Sequence, residues 1–133
     1  MSKLTGGFRI SIVDDDDLVR VALGRLMKAH GYLVETFESG AGLLNSGQLA
    51  HTDCLITDIQ MPGMSGLELH SRLTAAGLTV PTILITAHPD EDVRTRALRA
   101  GVLSYLTKPI DGADLLASVR SALEDGEGNG IRG

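Results

Sequence analysis

Tryptophan is absent from the 133-residue chain, and only two Phe and two Tyr accompany an apolar content of 43%. A chain of this length makes about one domain, and its core must be aliphatic, built from Leu, Val, Ile and Ala. The single cysteine, Cys54, excludes an internal disulfide. It lies in the apolar run Cys54-Leu55-Ile56 and reads as a small buried hydrophobe in a strand. The lack of a disulfide framework fits a cytoplasmic compartment. No run approaches the ~20 apolar residues that cross a bilayer. Met1 to Arg9 also lacks the apolar stretch of a secretion signal, so a cytoplasmic location and no membrane partner are expected. Basic residues are scarce: 12 Lys and Arg stand against 17 Asp and Glu, giving a net charge of −5. Nucleic-acid binding needs clustered cations to neutralise phosphates, so none is expected.

What is present is an alternation of short apolar runs with longer helical stretches. The strand candidates are Ile10 to Val13, Leu33 to Phe37, Cys54 to Thr57, Thr82 to Thr86 and Leu103 to Leu106. Between and after them the pattern predicts helices over Leu18–His30, Gly40–Ser46, Gly66–Ala76, Pro89–Ala100 and Gly112–Leu123. On the first helix Leu18, Ala22 and Leu26 run beside Val19, Leu23 and Met27 as one broad apolar stripe. Ser39 and Ser65 are placed to cap the second and third helices, Pro89 opens the fourth, and Gly31 and Gly101 close the first and fourth. Five β–α pairs in strict order call for a doubly wound α/β fold, a parallel sheet with helices on both faces. Chemistry in such sheets gathers just past the carboxyl ends of the strands.

Those positions are informative. Asp14-Asp15-Asp16-Asp17 follows the first strand, Asp58 the third, Thr86-Ala87 ends the fourth, and Lys108-Pro109 follows the fifth. Carboxylates from different loops repel one another unless a cation lies between them, and hard oxygen ligands suit Mg²⁺. Phosphoryl transfer requires the same parts: a metal and cations to balance charge, and a nucleophile, which a carboxylate can be. Asp16 and Asp17, one step further from the strand, read instead as the cap and dipole partners of the first helix.

Four segments in this order resemble the receiver domains of two-component response regulators: Ile12-Val13-Asp14-Asp15, Thr57-Asp58-Ile59-Gln60-Met61-Pro62-Gly63-Met64-Ser65-Gly66, Ile85-Thr86-Ala87 and Tyr105-Leu106-Thr107-Lys108-Pro109. The resemblance, to the CheY-like superfamily and within it the FixJ-like subgroup, covers about Arg9 to Leu123. It implies a flavodoxin-like five-stranded parallel sheet of strand order 2-1-3-4-5. It implies that Asp58 is the phosphoacceptor, and that Asp15, Asp58 and the backbone carbonyl of Gln60 bind Mg²⁺ (or Mn²⁺), with Asp14 acting through water. Lys108 would contact a phosphoryl oxygen, and Thr86 would swing inward in concert with Tyr105. Gln60 and His88, two beyond the acceptor and two beyond the switch threonine, would tune dephosphorylation. The fourth helix, fifth strand and fifth helix would form the surface that changes.

The implied partners are a sensor histidine kinase or phosphotransfer protein and a downstream protein target, with a phosphorylation-dependent homodimer also allowed. The implied role is a phosphoacceptor switch, not an enzyme acting on other substrates. Ile110 stands where an aromatic is commoner in the family. A phosphorylation-independent adaptor is the alternative. A related Mg²⁺-dependent phosphatase would need an acid–base aspartate where Gln60 stands. His30, His51 and His70 lack metal-ligand spacing and read as surface residues. The expected division is an N-terminal extension at 1–8, a receiver domain at 9–124 and a flexible Gly-rich tail at 125–133, whose shortness favours a stand-alone regulator over a fragment.

Overall fold

A computed structural model describes residues 7–132, with side chains as far as Glu124. Five strands, β1 Arg9–Val13, β2 Leu33–Phe37, β3 Cys54–Asp58, β4 Thr82–Thr86 and β5 Ser104–Thr107, alternate with helices α1 Asp17–Ala29, α2 Gly40–Leu44, α3 Gly66–Ala75, α4 Glu91–Arg99 and α5 Gly112–Arg132. All pairings are parallel, in the order β2-β1-β3-β4-β5. This is the CheY-like flavodoxin fold that the alternation and the resemblance imply.

The side-chain period of two along each strand sorts the core into two layers. Ile10 and Ile12 on β1, Cys54 and Ile56 on β3, and Ile83 and Ile85 on β4 pack with Leu23 and Met27 of α1 and Leu115, Val119 and Leu123 of α5. On the other face Val13 and Leu55 meet Leu43, Leu69 and Leu73, while Leu84 meets Ala97 and Val102. Every residue of β3 and β4 is buried, which is why those strands read as unbroken apolar runs. Burial pushes the Cys54 thiol up to about 12, and the Asp53 charge adds to the shift, so Cys54 stays a neutral hydrophobe. Among the described residues no helix is long and apolar enough to cross a membrane.

Several boundaries and faces differ from the sequence reading. Only half of the α1 stripe is used: Leu23 and Met27 are buried and Val19 and Leu26 partly so, whereas Leu18 is 83% exposed and Ala22 lies in solvent. Six apolar positions make an arc wider than one sheet face covers, and the half centred on Leu23 is the one that packs. Helix α4 starts at Glu91, not Pro89, because the Asp90 carboxylate accepts from the Asp92 and Val93 amides and so fixes the start two residues later. A short 3₁₀ turn at Leu49–His51 lacked any signal in the pattern.

His70 is buried, unlike exposed His30 and His51, since it shares the inner stripe of α3 with Leu69 and Leu73; burial also lowers its pKa. Phe8 packs against the core, and its carbonyl accepts from Leu33 N–H at 2.9 Å. Most of the expected extension at 1–8 lies outside the described residues. Helix α5 continues to Arg132, past Leu123, through the segment expected as a tail; among its described side chains Leu115, Leu116, Val119, Ala122 and Leu123 are buried. A nucleated helix gains a hydrogen bond for each residue added, which an apolar pattern does not register.

The two sides of α1 provide a stability test. By urea denaturation, Leu23→Ala should lose about 2–5 kcal/mol, as cavity-forming core truncations do. Leu18→Ala should stay within about 0.5 kcal/mol of the parent.

Candidate functional site

The carboxyl ends of β1, β3, β4 and β5 bring Asp14, Asp15, Asp58, Thr86 and Lys108 to one rim, as the strand-end argument expects. Asp14 is fully buried and Asp58 is 5% exposed, whereas Asp15 is exposed. Lys108 Nζ lies 3.1 Å from Asp14 Oδ2 and 3.2 Å from Asp58 Oδ2, so one ammonium spans two carboxylates. Asp14 Oδ1 accepts from the Asp16 amide at 2.8 Å. Asp58 Oδ1 is buried with no hydrogen-bond partner, and Asp14 Oδ2 has only the ion pair with Lys108.

The electrostatics follow from this crowding. Burial raises the Asp58 pKa above its usual value of 3.8, and the Asp14 charge raises it further; Lys108 and the Gln60 amide counter only in part. For Lys108 burial pulls the pKa down, but the hydrogen bond and charge of Asp14, then those of Asp58, outweigh it and leave it raised. Asp58 is thus a carboxylate short of positive charge beside a permanently charged lysine.

The surrounding loops fix this arrangement. Asp16 caps α1 by accepting from the Leu18 and Val19 amides, as its position predicted. Arg20 reaches back from α1, donates to the Asp14 carbonyl at 2.6 Å and pairs with Asp17. Nothing in the sequence pattern marked Arg20; its spacing from Asp14 gains meaning only once the loop is folded. Ser65 caps α3 by accepting from Glu68 N–H. Gly66, the first residue of α3, donates to the Ile59 carbonyl at 3.1 Å. A Cβ at Gly66 would collide with the Asp58 carbonyl oxygen, so no other residue lets α3 sit this close to the acidic rim. Gly63, at φ +80°, makes the turn between them.

Asp14, Asp15 and Asp58 each offer a carboxylate oxygen within 4.8 Å of the others. All-oxygen donors of this kind, with a buried unpaired oxygen on Asp58, fit a hard divalent cation such as Mg²⁺. Thr86 is fully buried and does not donate to Asp58; its hydroxyl donates to Gln60 Oε1 at 2.6 Å and accepts from His88 N–H at 2.9 Å. Tyr105 is half-buried, and its hydroxyl accepts from Asp90 N–H at 3.0 Å. It borders a shallow cleft of about 240 Å³ lined by Pro89, Asp90, Glu91, Arg94 and Thr107. Ile110 packs against the α1/α5 core layer and leaves the rim untouched.

A parallel sheet of this order, with an acidic trio, a lysine and a hydroxyl at its carboxyl rim, defines a doubly wound domain with a carboxylate centre that could hold a cation. Residues 10–120 match the response regulator receiver domain, and the chain belongs to that family, the phosphoacceptor signalling module of two-component systems. Transcriptional regulatory protein FixJ of Azorhizobium caulinodans is 38% identical over 114 residues, which is 86% of this chain and 54% of that protein. Response regulator protein TmoT of Ectopseudomonas mendocina is 42% identical over 116 residues, 86% of this chain and 52% of that protein. The chain therefore spans about half the length of these relatives. Among solved structures, the response regulator StyR superposes with a TM-score of 0.84 at 37% identity, covering 93% of this chain and 63% of that one. FixJ-N superposes at 0.78 with 29% identity, covering 88% and 94%.

The raised Asp58 pKa gives a pH test in metal-free buffer. Its folded pKa exceeds the unfolded value, so the ionised carboxylate destabilises the fold above the folded pKa and has no effect below about 3.8. Asp58→Asn should raise the thermal midpoint at pH 7, with the gain shrinking to nothing as pH falls to the ordinary carboxylate range. A gain that persists unchanged in acid would contradict this origin.

Proposed function

We propose that Asp58 accepts a phosphoryl group from a histidine kinase or phosphotransfer protein. The observation carrying this reading is the buried carboxylate of Asp58, unpaired at Oδ1 and 3.2 Å from Lys108 Nζ at Oδ2. In the transfer, an Asp58 oxygen forms a bond to phosphorus as the bond from phosphorus to the donor histidine nitrogen breaks. The nitrogen departs with the electron pair, and an acyl phosphate remains. Lys108, already poised between Asp14 and Asp58, donates to a phosphoryl oxygen and balances the added charge.

Asp15, Asp58 and the Gln60 backbone carbonyl would hold Mg²⁺, with Asp14 acting through water. When bound, the cation supplies charge neutralisation for the acidic trio and the phosphoryl oxygens. After transfer the Thr86 hydroxyl turns to the phosphoryl group and Tyr105 moves inward with it. That shift alters the surface of α4, β5 and α5 presented to a downstream protein or to a second copy. Gln60 and His88 flank the route by which water reaches the acyl phosphate, and so influence its lifetime.

The test is intact-mass spectrometry after incubation with a small acyl-phosphate donor. A single base-labile phosphoryl adduct should form with Mg²⁺, be absent without it and be absent in Asp58→Asn. Lys108→Met should slow labelling by roughly 10²-fold, the usual effect of deleting one charge-stabilising donor. No adduct under conditions that label an authentic receiver would overturn the proposal in favour of a phosphorylation-independent adaptor.

A further inference from the structure

The Thr86 hydroxyl has one proton to give. It is spent on Gln60 Oε1, at 2.6 Å, while the His88 amide donates to the Thr86 hydroxyl oxygen at 2.9 Å and so occupies one of its lone pairs. Thr86 itself is fully buried, so its hydroxyl must find an acceptor inside the protein. Gln60 belongs to the loop between β3 and α3, and its residue is exposed; Thr86 ends β4. The bond therefore ties the acceptor loop to the neighbouring strand across a gap of 26 residues. A threonine side chain is stiff at χ1 and moves between discrete rotamers, not through a continuum. A hydroxyl held by such a bond is held in one rotamer.

We propose that the Gln60 side chain is a latch that keeps Thr86 in the rotamer whose hydroxyl bonds Gln60 and not Asp58, until a stronger acceptor arrives at Asp58. Gln60 acts as a positioning residue: its amide oxygen competes with the phosphoryl group for the single Thr86 proton. This is separate from any effect of Gln60 on water access, and it rests on the reading of Asp58 as phosphoacceptor only for what releases the latch. A charged phosphoryl oxygen is a better acceptor than a neutral amide, so phosphorylation opens the latch without any other input. The amide sets how much of the ensemble occupies the switched state beforehand.

The experiment measures the three-bond couplings from Thr86 Cγ2 to its backbone nitrogen and carbonyl carbon, which report χ1, in the unphosphorylated, metal-free protein. Wild type should show one rotamer. Gln60→Met, of similar length but without the acceptor, should shift the rotamer ratio about fivefold, the worth of one neutral hydrogen bond. Gln60→Glu, which restores an acceptor, should return Thr86 to the single rotamer. As a second arm, the affinity for beryllofluoride with Mg²⁺ should tighten about fivefold in Gln60→Met. That gain should vanish when Gln60→Met is made in a Thr86→Ala background. Unchanged couplings in Gln60→Met, or an equal affinity gain with and without the Thr86 hydroxyl, overturn the latch. If wild type fails to bind beryllofluoride, the phosphoacceptor reading fails, and the couplings alone still decide whether Gln60 holds Thr86.

Discussion

Lys108, wedged between Asp14 and Asp58, is the interaction on which the rest of the site depends. Two buried carboxylates a few ångströms apart repel strongly in a region where water screens poorly, and a single ammonium at 3.1 and 3.2 Å reduces that repulsion without removing it. One cation cannot neutralise two anions; burial first and the Asp14 charge second leave the Asp58 pKa raised, and its Oδ1 is unpaired. This shortfall of positive charge makes the site receptive. A divalent cation would complete the charge balance, and on the proposed reading a phosphoryl group would find an ammonium already oriented. The proposed function is built on an electrostatic deficit that the fold holds in place.

Holding it requires rigidity from every neighbouring element. β1 and β3 lie side by side at the centre of the sheet with Val13 opposite Thr57, which sets Asp14 and Asp58 at the same height. Capping by Asp16, Arg20 on the Asp14 carbonyl and the close approach of Gly66 to Asp58 then remove the freedom of the loops to separate the charges. Against this fixed centre the mobile part is small. Thr86 and Tyr105 are held by neutral hydrogen bonds, to Gln60 and the His88 amide and to the cap residue of α4. Strong charge interactions hold the acidic centre and neutral ones hold Thr86 and Tyr105, so on the proposed reading a new phosphoryl group would redirect the second set without disturbing the first.

Much of this was legible in the chain. Unbroken apolar runs at Cys54–Thr57 and Thr82–Thr86 mark central strands because both faces are covered, and Ser39 and Ser65 cap the helices they precede. The acidic, hydroxyl and lysine positions stood out because each follows a strand. Other features were hidden for physical reasons. A side chain such as Leu18 is apolar whether or not anything covers it, and His70 is polar even on a buried stripe. The start of α4 turned on Asp90, whose extended backbone and capping carboxylate set the first turn after Pro89, a tertiary and local detail that the proline signal did not carry.

The sequence by itself determined the alternation of strands and helices, the aliphatic core and the residue types at the strand ends. These depend on local periodicity and on the chemistry of single side chains. Only the tertiary structure decided which of those residues share an atom: that Lys108 serves both Asp14 and Asp58, that Gly66 must lack a side chain, and that the Thr86 proton goes to Gln60. The Thr86–Gln60 and Lys108–Asp58 pairings join residues 26 and 50 apart and fall off within an ångström or so, a precision that no pattern along the chain encodes.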